Sequence, residues 1–237
     1  MSRTRGRASR VDRLPDGRTA LIFRVVEQGR RADITVVGPR TRALLKDATH
    51  FSHAVEIELA PGWSGPVLGV PASALTNTFV DLESLWGPES EDLVGDVLHA
   101  EDAAEVLERF DKAVRRRGVT LNEPASARLA RRALTSIRTD GARVQHVADR
   151  LGVSTRHLRR VFAEYVGVSP KSFARAMRLQ RAVRIAETCA DWARVAVEAG
   201  YYDQAHLIAD FRDLVGLTPT AFVKRARERD PRARRVA

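Results

Sequence analysis

The chain has 237 residues, room for two modest domains with cores of their own, and 44% of them are hydrophobic, which excludes a disordered chain. No apolar run approaches the roughly 20 residues of a membrane helix, and the charged N-terminus has no apolar signal core, so the expectation is a soluble, cytoplasmic protein with no membrane partner. The single cysteine, Cys189, excludes an internal disulfide and a cysteine-rich zinc cluster.

The formal net charge of +10 is unevenly spread. Residues 1–120 carry 17 Lys and Arg against 18 Asp and Glu, whereas residues 121–237 carry 23 against 12. The surplus collects in the second half, as a nucleic-acid-binding surface that neutralises phosphates requires; a general solubility surplus would be even.

In chain order, residues 1–10, with Arg3, Arg5, Arg7 and Arg10, read as a basic flexible tail. Residues 11–88 read as a β-rich domain of barrel or sandwich type that could bind an effector. Pro15-Asp16-Gly17 is a turn signal, Ala20 to Val26 is rich in β-formers, and Ile34 to Val37 runs into Gly38-Pro39. Val55 to Leu59 alternates apolar and acidic residues, the pattern of a strand with one buried and one wet face. His50 and His53, with Glu56 and Glu58 behind them, raise the question of a metal. Histidines three apart point to opposite faces of a regular strand, so no metal site, no cofactor and no catalytic residues are expected. Phe51, Trp63 and Trp86 suit core packing or a pocket wall.

Residues 81–111 hold eleven acidic side chains and one arginine, Arg109. Ala103, Val106, Leu107, Phe110 and Val114 recur at helical spacing, so the segment 89–120 reads as an amphipathic helical stretch with an acidic face, either dimerising or packed on its own β-domain. Arg115-Arg116-Arg117 and Asn122-Glu123-Pro124 mark a linker. Ala125 to Ile137 then opens an all-helical domain over 121–228, and 229–237 is a basic tail.

Within that domain one motif is written twice. Ala148, Gly152, Leu158, Phe162, Gly167, Pro170 and Phe173 reappear as Ala196, Gly200, Leu207, Phe211, Gly216, Pro219 and Phe222, offset by 48 residues before the first glycine's turn and by 49 after it. Apolar residues at helical spacing on both sides of Gly152 and Gly200 predict a helix, a tight turn and a second helix, with Ser154 or Thr155 capping the second helix of the first copy and Asp203 that of the second. Such helix-turn-helix units place their second helix in a DNA major groove. The pattern from Pro170 to about Glu187 predicts a connector helix, long enough to set the two recognition helices in adjacent grooves of one duplex.

With Leu158, Val161 and Phe162 inward, Thr155, Arg156, Arg159 and Arg160 form the first reading surface, where arginine forks can pair with guanine. The second surface offers Gln204, Ala205, His206 and Ile208, a more permissive set. Arg175 and Arg212 are candidate phosphate contacts, and the row Arg175, Arg178, Arg181, Arg184 predicts further solvated arginines or pairs with Glu187 and Asp191.

The run VADRLGVSTRHLRRVFAEYVGVSPKSFARAMRLQRA, with VAVEAGYYDQAHLIADFRDLVGLTPTAFVKR after it, resembles the DNA-binding domain of the AraC-type transcription regulators over about residues 124–228. Val67-Leu68-Gly69-Val70-Pro71 and Leu85-Trp86-Gly87 are similar, less specifically, to that family's cupin-like sensing domains. The resemblance implies an α+β chain of a cupin-like β-domain followed by two helix-turn-helix units. It also implies double-stranded DNA and RNA polymerase as partners, a small-molecule effector, and a homodimer formed through the helices after the β-domain. Three rivals stand beside it: a ligand-independent regulator of the same type, controlled by abundance; a cupin-like metal enzyme with an accessory DNA-binding domain; and a repair-type methyl acceptor, which would need a reactive N-terminal cysteine where the chain has only Cys189, between the two units.

Overall fold

The computed structural model describes residues 2–6, 10–26, 31–47, 53–119, 123–140 and 143–229. The fold is α+β, an antiparallel β-domain followed by helices. Strands β1 (Ser2–Gly6), β3 (Thr19–Val26), β4 (Arg31–Val37), β6 (His53–Leu59) and β7 (Phe79–Asp81) form one sheet in the order β1-β6-β3-β4-β7, while β2 (Arg10–Arg13) and β5 (Leu44–Asp47) pair as a separate ribbon. Every pairing is antiparallel, so side chains alternate between the two faces.

The register stacks Leu21 beside Val36 and Ile57, and Phe23 beside Ile34 and Val55, building one apolar face. Helices α2 (Glu83–Trp86), α3 (Glu89–Leu98) and α4 (Ala103–Arg116) cover it with Trp86, Leu93, Val97, Val106, Phe110 and Val114. The Phe110 ring meets Phe23 edge-on and stacks on Trp86. Burying each such side chain contributes roughly 1.5–3 kcal/mol. The acidic helical stretch therefore packs its apolar side on its own β-domain, and Asp102 starts α4 by accepting from the backbone N–H groups of Ala104 and Glu105.

Three expectations change. The tail is in part a strand: Ser2–Gly6 pairs with β6 at the sheet edge, where a charged segment can join through its backbone alone. Glu56 and Glu58 do not form a wet face, because Arg13 lies 3.5 Å from Glu56 and Arg18 2.5 Å from Glu58, covering that side with arginine. Residues 64–86 hold short helical turns on either side of β7 rather than strands throughout. Val67 and Leu68 end α1 (Ser64–Leu68) before Gly69, a 3-10 turn spans Ala72–Leu75, and Leu85-Trp86 belongs to α2. His50 and Phe51 lie outside the described residues, as do residues 230–237 of the expected basic tail.

The second half is all helix: α5 (Ala125–Asp140), α6 (Val144–Arg150), α7 (Thr155–Val166), α8 (Pro170–Ala186), α9 (Trp192–Ala199), α10 (Gln204–Val215) and α11 (Pro219–Arg229). Arg115 and Arg116 close α4, so the break between the halves falls after them. No helix among the described residues is long and apolar enough to cross a membrane.

Candidate nucleic-acid interface

The first unit is α6, a turn at Gly152 (φ +67°) and α7. Ser154 is the cap, its hydroxyl accepting from the His157 N–H at 3.1 Å. Leu158, Val161 and Phe162 are fully buried against Ala133, Ile137, Val147, Ala148 and Phe173, which fixes the rotation of α7 about its axis. The second unit repeats the plan with α9, Gly200 (φ +89°) and α10. Asp203 caps α10 by accepting from the His206 N–H at 2.7 Å, and Leu207 and Phe211 are its anchors. Both recognition helices end on left-handed glycines, Gly167 and Gly216, and each is followed by a helix that begins at proline.

The connector α8 serves both cores. Its Phe173 enters the first, and its Leu179, Ala182 and Ala186 enter the second. Its 17 residues span roughly 25 Å at 1.5 Å per residue.

These anchors leave Arg156, Arg159 and Arg160 exposed and Thr155 half-buried at the start of α7. Arg160 leans toward His157, 3.3 Å from its Nδ1, and Glu164, 3.9 Å away. Among the described residues Arg156 and Arg159 have no ion-pair partner. In the second unit Gln204, Ala205 and His206 are exposed and Ile208 half-buried, with the His206 ring edge-on to Tyr201 at 5.2 Å. Sequence reasoning missed Tyr202. At 89% exposed it stands directly before the cap of α10, with Val197 of α9 also exposed at 68%. The signal was present, since Tyr202 aligns with the half-buried Val153 of the first copy and brings a hydroxyl where that copy has none.

Arg212 is exposed in the last turn of α10, but Arg175 has a different partner from the expected phosphate. Its Nε and Nη2 donate to Asp210 Oδ1 at 3.1 and 2.6 Å, and Nη2 also to Asp213 Oδ2 at 2.9 Å. Arg178 lies over the Tyr201 ring at 5.5 Å and 3.9 Å from Asp210. Arg175 and Arg178 thus pair with α10, which crosses them, rather than with Glu187 and Asp191. The charges answer one another: hydrogen bonding to Asp210 pushes Arg175 up, and hydrogen bonding from Arg175, with Arg42 as a second cation, holds Asp213 below the usual carboxylate range. The Tyr201 phenol, buried and beside Asp210, is pushed well above its ordinary value.

Residues 147–225, spanning both units, match a protein family described as a helix-turn-helix domain. Residues 147–225 are a helix-turn-helix domain of AraC type. Solved structures with similarity to it include a transcriptional regulator with an AraC-type DNA-binding domain from Chromobacterium violaceum, 23% identical over 45% of this chain and 96% of that one, TM-score 0.40. A DNA-binding transcriptional dual regulator from Escherichia coli K-12 is 27% identical over 43% of this chain and 94% of that one, TM-score 0.38. ToxT from Vibrio cholerae O395, bound to (E)-4-(8-methylnaphthalen-1-yl)but-3-enoic acid, is 9% identical over 94% of this chain and 98% of that one, TM-score 0.49. No curated protein matches the sequence. A helix-turn-helix domain of this type binds DNA.

Proposed function

We propose that the chain is a cytoplasmic, sequence-specific transcription regulator that reads two adjacent major grooves with α7 and α10. The observation that carries this reading is the duplicated unit. Two recognition helices, each with its anchored side buried and its N-terminal turn exposed, hang from one 17-residue helix that enters both cores. Arg156 and Arg159 are the base readers of the first unit, each bidentate pair with guanine worth roughly 1–3 kcal/mol of discrimination. Thr155 and Arg160 support them. Gln204, Ala205, His206 and Ile208 read the second groove more permissively, with Arg212 on a phosphate.

Control by a small-molecule effector is the second part of the proposal. A cavity of about 460 Å³ lies where the two halves meet, lined by Gly62, Ser64, Pro66 and Val70 on one side and Pro124 and Tyr165 on the other. A ligand there would touch the recognition helix of the first unit directly, through Tyr165. Transcription then follows from contact with RNA polymerase, and the outer face of α4, where Leu107 is exposed among charged side chains of both signs, is the surface available for a homodimer.

The test is a footprint of the purified chain on DNA from its own upstream region, across salt concentrations. Two protected stretches about one helical turn apart are expected. Uniform coating that salt removes steeply would mean binding by backbone charge alone and would overturn the reading.

A further inference from the structure

We propose that the N-terminal β-domain is a brace that holds the two recognition helices at a set spacing, and so determines which operator spacing the protein accepts without touching a base. The inference rests on the two-groove reading above.

The repeat supplies the observation. Tyr165 of α7 and Leu214 of α10 are 49 residues apart and occupy the same position in the two copies. Both lie in the last turn of a recognition helix, where carbonyls lack a partner within the helix. The β-domain satisfies both. The Gly62 N–H donates to the Tyr165 carbonyl at 3.2 Å, and the Ala43 N–H to the Leu214 carbonyl at 2.7 Å. Each helix is thus held at the end remote from its reading turn, roughly 15 Å away at 1.5 Å per residue.

Side chains deepen each grip. On the first unit, the Thr76 hydroxyl donates to the Gly167 carbonyl, and Pro39 and Ala72 press so closely on Gly167 that a Cβ there would lie 2.6 Å from Pro39 Cγ. On the second, Arg42 Nη2 donates to Asp213 Oδ1 at 3.1 Å, the carboxylate that Arg175 holds through its other oxygen, and Leu14, Ala43 and Leu45 pack against that unit's core. Between the grips, Gln180 of the connector donates to the Pro15 carbonyl at 2.8 Å.

The two grips are one piece. Asn77 joins the loop that holds the first unit to the loop that holds the second. Its N–H donates to the Pro39 carbonyl at 2.8 Å, its Oδ1 accepts from the Thr41 N–H at 2.9 Å, and its Nδ2 donates to the Thr41 hydroxyl at 2.9 Å. It does so in the left-handed region, at φ +62°, which asparagine tolerates better than most residues other than glycine. A residue held there by its own hydrogen bonds ties the loops together, and through them the helices.

The variant that isolates this role is Asn77→Gly combined with Arg42→Ala. Glycine keeps the positive φ while removing the side-chain bonds to Thr41, and Arg42 is 71% exposed, so neither change opens a core. Full-length wild type and variant are titrated on a duplex carrying the two footprinted stretches, and on the same duplex with two base pairs inserted between them. Wild type is expected to lose affinity on insertion, and the variant to lose less, its ratio between the two duplexes smaller by roughly threefold or more. An unchanged ratio, with wild type still protecting two stretches, overturns the brace and leaves the two-groove reading standing. A wild type that protects a single stretch overturns that reading and the brace with it. If the double variant does not fold, Arg42→Ala alone carries the test. A readout without DNA accompanies it, using labels on Arg160→Cys and Ala209→Cys in a Cys189→Ser background. Their distance distribution is expected to broaden in the variant, and an unchanged distribution overturns the proposal.

Discussion

Asp210 is the acidic residue whose loss should be felt most. Its side chain is 8% exposed, and one of its oxygens takes both the Nε and the Nη2 of Arg175 while the other faces Arg178. Asp210→Ala would strand two guanidinium groups between α8 and α10. Removing one partner of a buried pair costs about 3–5 kcal/mol; because Asp213 still reaches Arg175, the lower end, about 3 kcal/mol, is expected. In urea unfolding the midpoint should fall with an unchanged slope, since the surface exposed on unfolding stays the same. Asp210→Leu with Arg175→Met should restore part of the loss, since apolar groups of similar size replace a buried pair at little cost while Arg178 still lacks its carboxylate. A loss below about 1 kcal/mol for Asp210→Ala would place this pair with ordinary surface salt bridges and refute the argument.

Three other outcomes follow from the same geometry. Arg159→Ala should weaken operator binding by roughly 1–3 kcal/mol and relax base preference in one protected stretch, whereas His206→Ala, whose ring already leans on Tyr201, should cost less; equal losses in a competition assay would remove the asymmetry between the units. Gly167→Ala should destabilise more than Gly216→Ala, which checks the docking of the β-domain. Both sit at positive φ and share a backbone cost of about 1 kcal/mol, but only at Gly167 would the added Cβ strike another domain, a difference that thermal unfolding of the two variants measures. Asp213, its carboxyl lowered by Arg175 and Arg42, contributes stability above its ordinary value of 3.8 that is lost as pH falls through the lower folded value; Asp213→Asn should therefore flatten the acid limb of a stability profile below about pH 4 and leave neutral pH unchanged in slope.

The helical half was readable because its signals are local. A left-handed glycine, a cap three residues from the N–H that donates to it and an apolar stripe at helical spacing are all decided within one turn, and the duplication states them twice. The β-domain was readable only in outline. Val55 to Leu59 alternates as a strand should, yet whether Glu56 and Glu58 meet water depends on Arg13 and Arg18, which lie some forty residues upstream and arrive by way of the turn at Gly17. The partners of Arg175 were out of sight for the same reason. On α8 it is one of four arginines in a row, and only the crossing of α10, set by Leu179 and Phe211, shows that Asp210 and Asp213 stand opposite it. Tyr202 was missed because a residue inserted after the glycine shifts the second turn, and an exposed aromatic looks like any other in a list of residues.

The two units differ in a way that makes the β-domain's placement intelligible. The first recognition helix presents three exposed arginines, and backbone attraction together with guanine recognition can hold such a helix in a groove by itself. The second presents Gln204, Ala205 and Ile208, a surface that adds shape and methyl contacts but little attraction, and Asp213, the acidic side chain beside it, is neutralised by Arg42 of the β-domain. A weak reader contributes to affinity only when it is delivered in position, because rigid linkage raises its effective concentration at the groove while a loose tether leaves most of its orientations unproductive. The second unit is also the one whose core the β-domain enters with Leu14, Ala43 and Leu45. Both units are gripped, but only the second depends on the grip for its affinity, so loosening the β-domain should erase the second protected stretch before it weakens the first.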